Sequence, residues 1–203
     1  MRASPCQRIK AGFRPGGPRG GVWKTAVYDD PFEPPRWTAV FDYGVPEGLL
    51  GAFHQALDAD YTAGDGYLSS DQPLAAAYLP LLNAGWTHAI GDRQQAFTAP
   101  GKLARLTHTH GLLRDDSFGW RLLAGPADSG GHWTAAFTAR RPPQLIAAFT
   151  RALASPEPLA RTADQLPLDN RPHLTITPTP APTARTTNAP PTLRVPDPAL
   201  PGG

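Results

Sequence analysis

The 203-residue sequence predicts an α+β fold in which two related antiparallel strand-hairpin-helix units pack into one domain, followed by a disordered proline-rich C-terminal tail. Three observations carry this expectation. A stretch of twenty-one residues occurs twice, each copy passes from an alternating to a helical apolar period, and 12 of the 25 prolines fall after Ser155.

Set without a gap, Trp37 to Leu57 and Trp133 to Leu153 agree at ten positions, where composition alone gives about two. Trp37, Ala39, Phe41 and Tyr43 alternate with Thr38, Val40 and Asp42, and Trp133, Ala135, Phe137 and Ala139 repeat the pattern. Both segments therefore read as strands with one face toward a core. Pro46 and Pro142 suit the first turn of a helix, where a missing N–H costs nothing. The apolar positions 49, 50, 53, 56 and 57 recur at 145, 146, 149, 152 and 153, giving each unit an amphipathic helix of about three turns.

Upstream, Trp23-Lys24 precedes Trp37 by nearly the interval that separates Trp120-Arg121 from Trp133, so a hairpin leads into each helix. The connections, Asp29 to Arg36 and Gly125 to His132, hold the Asp, Gly and Pro that turns use. Pro5 with Lys10 matches Pro100 with Arg105, which adds strands near 7–13 and 103–109. Between the copies, Pro73 to Asn83 reads as one short helix with Leu74, Ala77, Tyr78, Leu81 and Leu82 on one side, stopped at Asn83-Ala84-Gly85. Gly85 to Ile90 and Gln95 to Ala99 read as a further hairpin. The first copy has no counterpart to it, since that would lie before Met1; the first unit is either shorter or begins upstream. The expected units are 1–60, a linker with a short helix at 61–84, a second unit at 85–159, and the tail at 160–203. That tail, rich in Pro, Thr and Ala, lacks the apolar surface that offsets ordering entropy.

The order of these elements resembles an actinobacterial family of tandem-repeat proteins, the SPDY-type domain family formerly known as domain of unknown function 317. The resemblance rests on Ser4-Pro5-Cys6-Gln7 and Ala99-Pro100-Gly101-Lys102 at the family's Ser-Pro-Asp position, on Gly85-Trp86, and on the two W-T-A-x-F…P…L-(L/I)-x-A-F-x-x-A-L segments. It covers Ser4 to about Leu159. Cys6 stands where the family has an acid, and the second copy keeps neither the acid nor the serine. The family implies a fold and no activity.

Composition narrows the function classes. The single cysteine, Cys6, forms no internal disulfide, and no Cys/His zinc pattern is present. With no secretory leader in Met1 to Lys24 and no apolar run of about 18 residues, a cytoplasmic protein is expected. Net charge is +2, unevenly placed: Arg2, Arg8, Lys10, Arg14, Arg19 and Lys24 precede the first acid, while residues 25 to 160 hold 14 acids against 9 Lys/Arg.

Catalytic chemistry finds no foothold. His108 and His110 would share one strand face with His132 or Asp115 nearby, but four metal ligands are not apparent, and ordinary histidines at an exposed strand end explain them, as they do His88 and His54. Asp115-Asp116 reads as a turn. The glycines of Gly16 to Gly21 do not form a phosphate loop, because Val22 and Trp23 intervene before Lys24 and a strand follows. A protein that is not an enzyme, with no cofactor or metal, is expected to act as a binding or regulatory scaffold through contacts with a protein partner. The alternative is single-stranded nucleic-acid binding by the basic N-terminal strands, with Arg8, Lys10, Arg14, Arg19 and Lys24 on phosphates and Phe13 and Trp23 under bases. These two readings separate on whether Trp23 and Trp120 are buried.

Overall fold

The computed structural model describes residues 2–16, 20–69, 71–110, 117–126, 131–140, 142–158, 171 and 174–178. Nearly all of the expected tail lies outside them, as do Arg19 and Asp115-Asp116. The elements are β1 (Arg2–Ala3), β2 (Ile9–Pro15), β3 (Gly21–Val27), β4 (Trp37–Asp42), α1 (Glu47–Ala63), a 3-10 turn (Leu74–Ala77), α2 (Leu79–Asn83), β5 (Thr87–Ile90), β6 (Gln94–Thr98), β7 (Ala104–Thr109), β8 (Phe118–Ala124), β9 (Trp133–Thr138) and α3 (Pro143–Ala154).

All nine strands join one antiparallel sheet in the order β1-β2-β3-β4-β9-β8-β7-β6-β5. The repeat becomes a pseudo-two-fold axis. At the centre β4 meets β9 with Ala39 opposite Phe137, Val40 opposite Ala136 and Phe41 opposite Ala135, so each unit presents the same positions to the other. The two units thus share one sheet and one core. Beneath it, Phe41, Phe53, Phe137 and Phe149 stand with ring centroids 5.2 to 5.7 Å apart, and Trp37 lies 6.3 Å from Phe53. Trp37, Phe41, Phe53, Trp133, Phe137 and Phe149, which stand at the repeated strand and helix positions, are all buried. Burial of each stabilises the fold by roughly 1.5–3 kcal/mol or more.

Both turns at the Ser-Pro-Asp position adopt one conformation despite their divergence. Gln7 N–H bonds Ser4 O and Lys102 N–H bonds Ala99 O, each at 2.8 Å, and Gln7 and Lys102 both take φ of 57°. Pro5 and Pro100 pre-set the dihedral of the first turn residue, which explains why proline survives there when its neighbours do not.

Several expectations need correction. α1 is 17 residues long, well beyond three turns, because Tyr61 extends the apolar stripe to Tyr67 before Gly64, at φ 136°, ends it. Pro46 and Pro142 occupy the N-cap positions, just before the first helical turn. The segment 73–83 is two pieces: Pro80 has no N–H for an unbroken ladder and its ring would strike the preceding turn, so the chain breaks at Tyr78. Leu74, assigned to the apolar side, is exposed. The outer hairpin of the second unit does have a partial counterpart in the first, since β1 pairs with β2 as β6 pairs with β7, though over two residues only. Among the described residues no helix is long and apolar enough to cross a membrane.

Candidate nucleic-acid interface

Residues opposite each other in an antiparallel ladder share a face. The core face is fixed by Trp37, Ala39 and Phe41, and α1 and α3 pack on it through Phe53 and Phe149. The other face then carries Lys10, opposite Ala26; Arg14, opposite Val22; Lys24, opposite Val40; Arg121, opposite Ala136; and Arg105, opposite Leu123. No described helix covers it.

The charge separation is sharp. The strands contain six Lys/Arg and a single acid, Asp42, and five of the six cations stand on the helix-free face. Asp42 is buried, its Oδ2 accepting from Thr134 N (2.9 Å) and Thr134 Oγ1 (2.8 Å). Meanwhile α1 carries Glu47, Asp58 and Asp60, and Asp65 follows it on the opposite side of the sheet. The acids of α1 and Asp65 are therefore turned away from this face, while Asp29, Asp30 and Glu33 belong to the β3–β4 loop whose Pro31 O accepts from Lys10.

The cations obey the pseudo-symmetry. One straight cross-strand row runs Lys24, Val40, Ala136, Arg121, which sets the two cations three strand spacings, about 14 Å, apart at the backbone. Lys10 and Arg105 are the corresponding outer pair. Arg14, Lys24, Arg105 and Arg121 are exposed, while Lys10 is half-buried, its Nζ donating to Pro31 O at 3.2 Å and lying 4.5 Å over the Tyr28 ring.

Of the residues singled out in the sequence, Lys10, Arg14 and Lys24 come together here. Arg8 does not: its guanidinium reaches Asp65 at 4.0 Å, and Arg19 lies outside the described residues. Sequence reasoning missed Arg105 and Arg121, although the repeat had already aligned them with Lys10 and Lys24. The aromatic rings expected beside the cations are also elsewhere. Phe13 and Trp23 sit opposite each other on the core face, beyond the reach of α1 and partly exposed, because strand alternation sends them away from Lys24 and Arg14.

His108 is buried and stacked on Trp120 at 4.2 Å, which corrects its assignment to an exposed strand end. Among the described residues no group of three or more His, Cys, Asp or Glu gathers as a metal site. A groove of about 1080 Å³ between α1, α2 and α3 has alanine as its commonest lining residue, with Asp60 and Arg151 as its ionisable groups. Gln144 Nε2 donates to Asp60 Oδ2 at 2.9 Å, holding that carboxylate against the wall.

A family model described as SPDY, a domain of unknown function (DUF317), matches residues 3–63 and 98–159. No curated protein and no solved structure matches the chain.

Proposed function

This chain belongs to the SPDY family, and from that premise we propose that it is a non-catalytic cytoplasmic protein that holds nucleic acid, through the phosphates, on the helix-free face of its sheet. The observation that carries this reading is the gathering of Lys10, Arg14, Lys24, Arg105 and Arg121 on one face whose single strand acid is buried and bonded. Such a face neutralises phosphates and releases their counterions, the main source of sequence-independent affinity.

Duplex suits the face better than single strand. A duplex has two-fold axes relating its antiparallel backbones, and symmetric proteins dock with their own axis on one of them. Lys24 and Arg121 straddle the axis through Val40 and Ala136. Single-strand binders gain much of their affinity by stacking bases on exposed rings, and the exposed rings Phe13 and Trp23 point to the other side.

The test is fluorescence anisotropy of a labelled duplex of about 16 base pairs and its single strand, with the full chain, from about 50 to 200 mM salt. Lys24→Ala and Arg121→Ala should weaken duplex binding by equal factors and each lower the salt slope by about 1, while Arg8→Ala leaves both unchanged. No duplex binding at the lowest salt overturns the proposal. Tighter binding of the single strand through the same residues would keep the face and remove the two-fold fit.

A further inference from the structure

The loop between β3 and β4 holds an aromatic ring out in solvent on a rigid support. Phe32 is 98% exposed, more than any other large apolar side chain among the described residues. Its loop is fixed all the same. Phe32 N–H donates to Asp30 Oδ1 (2.9 Å), Glu33 N–H to Asp30 O (3.1 Å), and Lys10 Nζ to Pro31 O (3.2 Å). Arg36 closes the base, donating from Nη1 to both Asp29 oxygens at 2.9 Å and from Nε to Leu68 O at 2.8 Å. Pro31, Pro34 and Pro35 restrict φ at three more positions. A ring displayed on so constrained a loop loses little freedom on binding, which is what an interface anchor requires. Asp29 is paired with Arg36, so Asp30 and the exposed Glu33 give the ring an acidic setting.

The same chain carries the complement. Ala56, Ala59, Leu79, Pro80 and Ala148 give the groove between α1, α2 and α3 apolar walls, and its volume of about 1080 Å³ has room for a ring and the prolines beside it. Its two charges stand apart. Asp60 is held by Gln144 at one end, and Arg151 follows Gln144 on α3 by seven residues, about 10 Å along the helix. An acidic loop is therefore received at the Arg151 end. We propose that Phe32 of one chain seats in this groove of a second copy, with Glu33 against the second copy's Arg151. A ring so exposed does not occupy its own groove, and loop and groove are unlike surfaces, so the contact runs head to tail and builds a ring or an open row of chains rather than a two-fold dimer. The proposal does not depend on the phosphate-binding reading.

Sedimentation velocity of the full chain between about 10 μM and 1 mM should show species that grow with concentration past a dimer. Phe32→Ser removes the anchor and Ala59→Trp fills the groove; both positions are exposed in the single chain, so thermal unfolding should match that of the parent. Each variant alone should associate about thirtyfold more weakly or worse. Leu79→Glu, a second block at an exposed position of the groove wall, should act as Ala59→Trp does. Mixing separates a head-to-tail contact from any other: the Phe32→Ser chain still offers the groove and the Ala59→Trp chain still offers the loop, so together they should form a one-to-one dimer that grows no further. A chain that is monomeric at about 1 mM overturns the proposal. So does association that survives Phe32→Ser or both groove variants, and so do variants that stay apart when mixed.

Discussion

Val40 stands directly opposite Ala136 at the centre of the sheet, and the gapless repeat makes them the same position of the two units. Everything around them is therefore paired by symmetry. Thr38 N–H donates to Thr138 Oγ1 at 2.9 Å, and across the axis Thr134 N–H donates to Asp42 Oδ2 at the same distance. Asp42 and Thr138 are equivalent positions that have diverged in side chain and kept the bond.

Removing one of these clamps tests the inter-unit seam. Asp42→Ala leaves the Thr134 N–H and hydroxyl without their acceptor in a buried setting, which should cost about 1–3 kcal/mol. Asp42→Thr, which copies the second unit, should lose less because its hydroxyl can accept from Thr134 N–H. Urea denaturation curves of the two variants check the order, and equal losses would show that the carboxylate itself is what the seam requires.

The core shared by the units predicts a cooperative response. Phe149 on α3 meets Phe41 of the first unit at 5.7 Å and Phe137 of the second at 5.5 Å. Phe149→Ala should lower stability by about 3–5 kcal/mol and unfold both halves in one transition. Far- and near-ultraviolet circular dichroism with coincident midpoints would agree; an unchanged melting temperature would remove Phe149 from the core.

Much of this fold was legible because it is written twice. Alternation in Trp37 to Asp42 and Trp133 to Thr138 identified the central strands, and the apolar spacing from Leu49 and Leu145 identified the helices that cover them. Where a single residue overrides a pattern, the pattern misled. Pro80 splits a segment whose apolar spacing reads as one helix. The site was legible only in half. A run of cations before the first acid drew attention to the N-terminal arm, yet charge along the chain does not say which face a strand residue joins. Register does, and it separated the rings from Lys24 while bringing in Arg105 and Arg121 from about a hundred residues away, whereas Arg8 precedes β2 and reaches Asp65 instead. The contrast between Trp23, partly exposed, and Trp120, buried, was equally invisible along the chain.

Cys6 should be a reactive thiol. Hydrogen bonds from Ser4 Oγ (3.3 Å) and then Tyr61 OH (3.5 Å) to Sγ favour the thiolate and bring its pKa down to about 7. The group is exposed, so reagent has access. Alkylation by iodoacetamide should reach half its limiting rate near pH 7, well below the 8.5 or so of a free cysteine. Ser4→Ala and Tyr61→Phe should each move that midpoint up, and a midpoint unmoved by either would assign the depression to something other than these bonds.

His54 makes stability depend on pH in a defined direction. Its ring lies between α1 and the sheet, where Nδ1–H donates to Leu50 O at 2.9 Å and Nε2 accepts from Thr25 Oγ1 at 2.8 Å, which assigns the neutral tautomer. Burial holds its pKa below the ordinary 6.5, with the bond to Leu50 opposing in part. The unfolded chain therefore takes up a proton at a higher pH than the folded one does. Its contribution to stability is complete above pH 6.5 and falls as acidification carries the unfolded state, then the folded state, through its titration. Unfolding free energy measured in urea between about pH 7.5 and 5 should decline toward acid, by at most about 1.4 kcal/mol per pH unit from this one group. His54→Phe, which keeps a ring against Phe41 and Phe53, lowers stability at neutral pH by stranding the Thr25 hydroxyl but should flatten that slope. A slope as steep in the variant as in the parent would place the acid sensitivity elsewhere.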